Sequence, residues 1–232
     1  MPKDTVASPS PPEPVTAKGE QTKQAILDAA LALFRRVGYE ATTMRAVARQ
    51  AGVSVGNAYY YFASKEHLIQ AFYLDVQADH QERASAVLAA ETDFGARLAA
   101  TLHAGLDALT PYHAFAATFF KTAAEPTSPL SPFSEQSSPS RDASIALFAE
   151  ALHGSSLKID PQLRSEAPEL LWLTYMGVIL YWVHDRSAGQ HKTRGLIDAA
   201  VPMIEQLLSL SRLRILRPTT RDLLNLVATL KQ

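Results

Sequence analysis

One stretch, residues 42 to 65 (TTMRAVARQAGVSVGNAYYYFASK), constrains this chain more than any other. Met44, Val47, Ala48 and Ala51 fall at i, i+3, i+4 and i+7, so they line one face of a short helix that Thr43 can cap. Gly52 follows directly and supplies the left-handed backbone that ends a helix, while Ser54 is placed to cap the next one. Two short helices about a tight glycine turn make a helix-turn-helix. The second helix, Val55 to Tyr61, is ill suited to a core. Its first turn is small or polar (Val55, Gly56, Asn57), and Tyr59, Tyr60 and Tyr61 point about 100° apart, so they cannot share one face. Such a helix suits contact between its N-terminal turn and base edges, with phenols and Lys65 on the flanking phosphates.

Thr43, Arg45, Val47, Ala48, Ala51-Gly52-Val53-Ser54, Gly56, Tyr59, Phe62, Ser64-Lys65-Glu66 and Leu68 resemble the DNA-binding signature of the TetR (tetracycline-repressor-like) family of bacterial transcriptional regulators. The resemblance covers roughly residues 22 to 73. It departs from the pattern at Ala58, where a larger apolar residue is commoner, and at Tyr61, where histidine is frequent. It implies an all-α homodimer: an N-terminal three-helix helix-turn-helix head, joined by a long helix to a C-terminal helical domain that dimerises and usually binds a small effector. On this reading DNA is held by Thr43, Arg45, Ser54, Val55, Gly56, Asn57, Tyr59, Tyr60, Tyr61 and Lys65. Asn57 can pair bidentately with adenine and Val55 can touch a thymine methyl, with Arg45 on a base or phosphate. Thr43, Tyr59, Tyr60 and Lys65 hold phosphates.

A formal net charge of −1 is at odds with DNA binding until its distribution is read. Residues 18 to 66 hold seven basic against four acidic side chains, a local +3 that leaves −4 for the other residues. A basic head on an acidic body is what a nucleic-acid reader with a second, non-DNA-binding domain requires. With 232 residues, 47% of them apolar, the chain is long enough for one small head and one larger domain. The absence of cysteine excludes disulfides, a thiolate zinc site and a redox thiol. It fits a cytoplasmic protein, as does an N-terminus without the apolar core of a signal peptide.

The expected organisation is a Pro/Ser-rich disordered tail over 1–17, the head over 18–64, and the effector-binding and dimerisation domain over 65–232. Within the head a supporting helix runs from Gln21 or Thr22 to Val37 and stops at Gly38. Ser64 caps a long helix from Lys65 to about Ala90, with Leu68, Phe72 and Val76 inward. Helices follow over Phe94–Leu109 and Tyr112–Ala124. Residues 125 to 140 carry four prolines among serines and break the pattern, as a disordered loop or a lid whose Leu130 and Phe133 can insert. A helix resumes from Arg141 to His153.

Asp160-Pro161 opens the next helix, and Pro168 restarts or kinks it. Leu170 to Val183 is almost wholly apolar, which predicts a helix buried nearly all round and too short for a bilayer. A second apolar stripe runs from Leu196 to Leu208, bent at Pro202. These two helices resemble the family's four-helix dimer interface, which would place Gly177, Leu180, Ile197, Val201, Ile204 and Leu208 at the subunit boundary. A last helix is predicted over Arg221–Leu230, after a basic turn at Arg212, Arg214 and Arg217.

For an effector, the aromatic and apolar residues Phe115, Phe119, Phe120, Trp172, Tyr175, Met176 and Ile179 are the expected lining. Trp182 could join them, and His103, His113, Thr118 and Thr174 are the candidate polar fixing points. A largely apolar or aromatic effector, neutral or singly charged, suits such a wall. His103 with Asp107, and His184-Asp185 with His191, lack metal-ligand spacing, and no cofactor is expected. No nucleophile elbow, phosphate-cradling glycine loop or paired carboxylate points to an enzyme. Two function classes stay open: an effector-responsive repressor on a near-palindromic operator, and a ligand-independent architectural or division-linked DNA-binding protein whose body is packed solid.

Overall fold

The computed structural model describes residues 17–125 and 127–211, and every regular element among them is helical. The proposed tail up to Thr16, the basic turn from Arg212 and the helix proposed for Arg221–Leu230 lie outside the described residues. The chain divides into two compact units between Lys65 and Glu66.

The first unit contains α1 (Ala17–Val37), α2 (Met44–Ala51) and α3 (Val55–Tyr61). α1 is already formed at Ala17, four or five residues before the expected start, and it ends where Gly38 takes φ 87°. Its buried stripe of Ile26, Leu27, Ala30, Leu33 and Phe34 belongs to a core with Met44, Val47 and Ala48 of α2. Ala58 of α3 and Phe62 are buried as well.

The turn between α2 and α3 follows from three residues. Thr43 Oγ1 accepts from Ala46 N at 3.2 Å and Ser54 Oγ accepts from Asn57 N at 3.1 Å, so each hydroxyl satisfies a backbone donor that its helix leaves open. Between them Gly52 sits at φ 69°, where a β-carbon would be strained, and Val53 N reaches back to Ala48 O at 3.0 Å.

The second unit holds α4 (Lys65–Ala90), α5 (Phe94–Leu109), α6 (His113–Ala123), α7 (Ser138–His153), α8 (Pro161–His184) and α9 (His191–Leu210). Its core draws Phe94, Leu98, Leu102 and Leu106 from α5, Phe148 and Leu152 from α7, and Leu171, Trp172, Tyr175, Val178 and Trp182 from α8. Ile197 and Val201 of α9 complete it. α7 starts at Ser138, earlier than Arg141, because Pro139 falls in the first turn, where its missing N–H costs no hydrogen bond.

α8 runs unbroken through Pro168, and α9 through Pro202. Pro168 deprives the Arg164 carbonyl of its helical donor, and the Nε2–H of His153 supplies one at 3.3 Å. α8 is not buried all round as expected. Thr174, Gly177, Leu180, Tyr181 and His184 are exposed.

The turn from α8 to α9 is organised by Asp185. Its Oδ1 accepts from Ser187 N and Oγ at 2.9 and 2.6 Å, and its Oδ2 from Thr193 N and Oγ1 at 2.9 and 2.7 Å, capping the first turn of α9. Burial alone would raise its pKa, but these four donors outweigh that and hold the carboxyl well below the usual carboxylate range. A lowered folded-state value gives stability that is complete above the unfolded-state pKa of about 3.9 and is lost as pH falls below it. Asp185→Asn should therefore lower the urea midpoint most at neutral pH, the gap to wild type narrowing below about pH 4. An equal gap at pH 7 and pH 3 would rule out the charge as the source.

Candidate nucleic-acid interface and effector cavity

α3 presents the residues that the sequence singled out. Val55 and Tyr59 are exposed, Tyr60 is 80% exposed, Ser54 and Gly56 are open, and Asn57 and Tyr61 are half-buried. Thr43 and Arg45 face solvent at the start of α2. The only α3 side chain turned fully inward is Ala58, which fits a helix used for contact and not for core. Tyr60 and Tyr61 meet edge to face at 5.1 Å between ring centroids. Space beyond the Gly56 α-carbon is open, with nothing within 4 Å of where a β-carbon would stand.

Lys65 is placed differently from the expectation of a phosphate contact alone. Its ammonium donates to Tyr39 O at 2.9 Å and Glu40 O at 3.4 Å, and lies 4.4 Å from the centre of the Tyr39 ring. It ties the end of the head to the loop after α1. Asn57→Ala should cost about 1–3 kcal/mol of operator binding and relax one base position, with thermal stability unchanged. Lys65→Ala should instead destabilise the head by about 1–2 kcal/mol. Melting followed by circular dichroism, beside a DNA-binding titration, separates the two, and identical profiles would collapse the distinction.

The second unit holds a cavity of about 490 Å³ that is open to solvent on one side. Six of the seven expected aromatic and apolar residues line it: Phe119, Phe120, Trp172, Tyr175, Met176 and Ile179, joined by Trp182. The side chains of Phe115 and Thr118 lie outside the described set. His103 is elsewhere, its Nε2 paired with Asp198 Oδ1 at 2.8 Å. His113 is also absent from the lining, because its Nε2–H donates to Trp182 O at 2.9 Å and its ring stacks edge-on against the Trp182 indole. Both histidines are fastened to neighbouring helices by bonds that spacing could not foretell.

α4 contributes Phe72, Tyr73, Val76, Gln77 and His80, none of which the expected lining included. Positions 72, 76 and 80 continue one helical face, but Gln77 and His80 are polar and so escape an apolar criterion. Burial disfavours the charged imidazole and lowers the His80 pKa, although the bond from its Nε2–H to Thr101 O at 2.8 Å opposes the shift. The Tyr175 hydroxyl is pushed up by burial.

Residues 127–137 cover part of the cavity as a run of turns stitched by serines. Leu130 is buried, and its carbonyl accepts from the Tyr73 hydroxyl at 2.7 Å. Gln70 Nε2 donates to Pro129 O at 2.9 Å and Ser137 Oγ at 3.1 Å. Phe133 is 62% exposed, with its ring 5.3 Å from that of Trp172.

The expected dimer residues separate into two groups. Gly177 and Leu180 are exposed and also border the cavity. Ile197 and Val201 are buried inside their own subunit, and Ile204 and Leu208 pack against that same core. The large apolar side chains that α9 turns outward are Leu196, Met203 and Leu207. Among the described residues no cluster of His, Asp and Glu is placed to hold a metal, and no helix is long and apolar enough to cross a membrane.

Residues 26–72 match the profile described as bacterial regulatory proteins, tetR family. Residues 97–225, more than half of the chain, match the tetracyclin repressor-like C-terminal domain. The chain belongs to the tetR family. Among curated relatives, the HTH-type transcriptional repressor KstR of Rhodococcus jostii is 54% identical over 50 residues, 22% of this chain and 24% of KstR. KstR of Mycobacterium tuberculosis is 53% identical over 53 residues, 23% of this chain and 24% of that protein. These matches span about a quarter of each relative's length.

Solved structures of transcriptional regulators extend the likeness over about four fifths of the chain. A TetR regulator from Nitrosomonas europaea superposes with TM-score 0.62 at 18% identity, covering 79% of this chain and 97% of its own. FadR of Bacillus subtilis, solved in complex with stearoyl-CoA, gives 0.59 at 18% identity, covering 81% and 98%. The family is described as bacterial regulatory proteins, and the curated relatives named above are HTH-type transcriptional repressors.

Proposed function

We propose that this regulator is a homodimeric repressor that holds a near-palindromic operator through Thr43, Arg45 and the exposed face of α3, and that a small, largely apolar effector releases it. The cavity carries the proposal: about 490 Å³ of mostly apolar and aromatic wall inside the second unit is a ligand-sized space. A body packed solid would suit a ligand-independent architectural protein; the cavity supports the effector-responsive reading instead. Pairing of two subunits about a two-fold axis imposes inverted half-sites on the DNA. The effector acts through its different affinity for DNA-bound and released states, and a tenfold change in operator affinity needs only about 1.4 kcal/mol.

Selection from a pool of randomised duplexes should return inverted repeats, and the selected duplex should be released by hydrophobic compounds. Ala116 borders the cavity, so Ala116→Trp should fill it and abolish release while leaving DNA affinity intact. If Ala116→Trp responds to the same compounds at the same concentrations, the effector binds elsewhere. A single asymmetric site from the selection would defeat the two-fold reading.

A further inference from the structure

Among the described residues, two buried polar atoms in the cavity wall have no hydrogen-bond partner: Nε2 of Gln77 and Oγ of Ser144. The residues are 9% and 5% exposed, and they come from different helices, α4 and α7. Native interiors retain few unmet donors, because an apolar enclosure offers nothing in exchange for lost water. Neighbouring polar groups are already committed. The His80 Nε2–H is on Thr101 O, and the Tyr73 hydroxyl is on Leu130 O.

Arg141 lies one turn before Ser144 on α7 and is the only charged residue among the described residues lining the cavity. Its Nη1 donates to two backbone carbonyls, Pro132 O at 3.1 Å and Ser134 O at 2.9 Å. Its carboxylate neighbour Asp142 is 3.9 Å away and faces solvent. The wall thus offers two donors and a cation whose acidic neighbour, Asp142, stands on the solvent side and is not part of the lining.

We propose that the effector is an amphipathic monoanion whose carboxylate accepts from Gln77 Nε2 and Ser144 Oγ beside Arg141, its apolar body lying along Phe119, Phe120, Trp172 and Met176. This rests on the cavity being the effector site, and it narrows the effector from apolar molecules in general to apolar acids. One cation in the wall matches one negative charge. The volume has room for about sixteen water-sized groups, enough for a chain of about ten to fourteen carbons.

Dodecanoate, below its micellar concentration, tests the proposal on the full chain. The two tryptophans of the sequence, Trp172 and Trp182, both line the cavity, so intrinsic fluorescence reports its occupancy. Dodecyltrimethylammonium, with the same chain and the opposite charge, and neutral N-phenylnaphthylamine serve as comparators. Dodecanoate should bind at least about tenfold more tightly than the ammonium. Gln77→Leu and Ser144→Ala should each weaken dodecanoate by about tenfold while leaving the naphthylamine within about twofold, which also shows that the variants are folded. Arg141→Gln should erase the preference between the two amphiphiles. If the naphthylamine binds but dodecanoate and the ammonium bind alike, or both variants keep wild-type affinity for dodecanoate, the acid proposal fails and the cavity reading stands. If none of the three probes changes the tryptophan emission, the cavity itself is not the site.

Discussion

Arg97→Met should lower the unfolding free energy of the second unit by about 3–5 kcal/mol. Arg97 is buried, and its guanidinium donates to four backbone carbonyls: Nε to Ala151 O at 2.8 Å, Nη1 to Leu88 O at 2.5 Å and Glu91 O at 2.6 Å, and Nη2 to Glu150 O at 2.6 Å. These carbonyls belong to the C-terminal ends of α4 and α7, where unpaired oxygens and the negative ends of both helix dipoles gather. A thioether of similar length removes all four of these donors from a dry site, leaving Glu150 O with only Gly154 N at 3.0 Å. Arg97→Lys keeps the charge but not the planar fork, so it should fall between wild type and Arg97→Met. Gly154 makes room for this group, because a β-carbon there would run into Arg97 Nη2. Gly154→Ala should therefore also destabilise. Urea unfolding followed by tryptophan emission reads the second unit, since both tryptophans are there. An unchanged midpoint for Arg97→Met would show that water serves those carbonyls as well as Arg97 does.

The second large effect concerns assembly. Met203 and Leu207, one turn apart on α9, are 64% and 68% exposed, and Leu196 continues the same side of the helix. If this face joins two subunits, the double change Met203→Glu with Leu207→Glu places four carboxylates in one apolar contact. It should convert a dimer to monomers at micromolar concentration and weaken operator binding by more than about a hundredfold, with the fold intact. Sedimentation and far-ultraviolet circular dichroism check both halves. A double variant that stays dimeric moves the interface off α9. Ile204→Asp would be a poor substitute, because Ile204 packs on its own subunit's core and the change would unfold the chain first.

The same helix shows where a one-dimensional reading ends. Leu196-Ile197, Ala200-Val201, Met203-Ile204 and Leu207-Leu208 are adjacent apolar pairs, and neighbours on a helix point about 100° apart. One member of each pair can face a core and the other a partner, but nothing local says which. The structure turns Ile197 and Val201 inward, and Met203 and Leu207 outward. The head was more legible because its signals are local: Thr43 and Ser54 cap the residues three positions on, and Gly52 takes the conformation for which it is suited. Lys65 was less so, since its partners Tyr39 and Glu40 lie some 25 positions back. In the cavity, the aromatic wall followed from composition, whereas Gln77, Ser144 and Arg141 did not. A polar residue facing an interior looks in sequence like any other on a helix surface, until the helix opposite is known.

Arg141 also has a temporal consequence. The guanidinium beside the proposed carboxylate site is the same group that holds the covering segment through Pro132 O and Ser134 O. Gln70 and Tyr73 hold that segment from the other side. Entry and exit of an occupant are then gated by a handful of hydrogen bonds within the chain, and residence time need not follow equilibrium affinity. Two acids of equal Kd could keep the operator free for different lengths of time, depending on how each competes with the peptide carbonyls for one arginine.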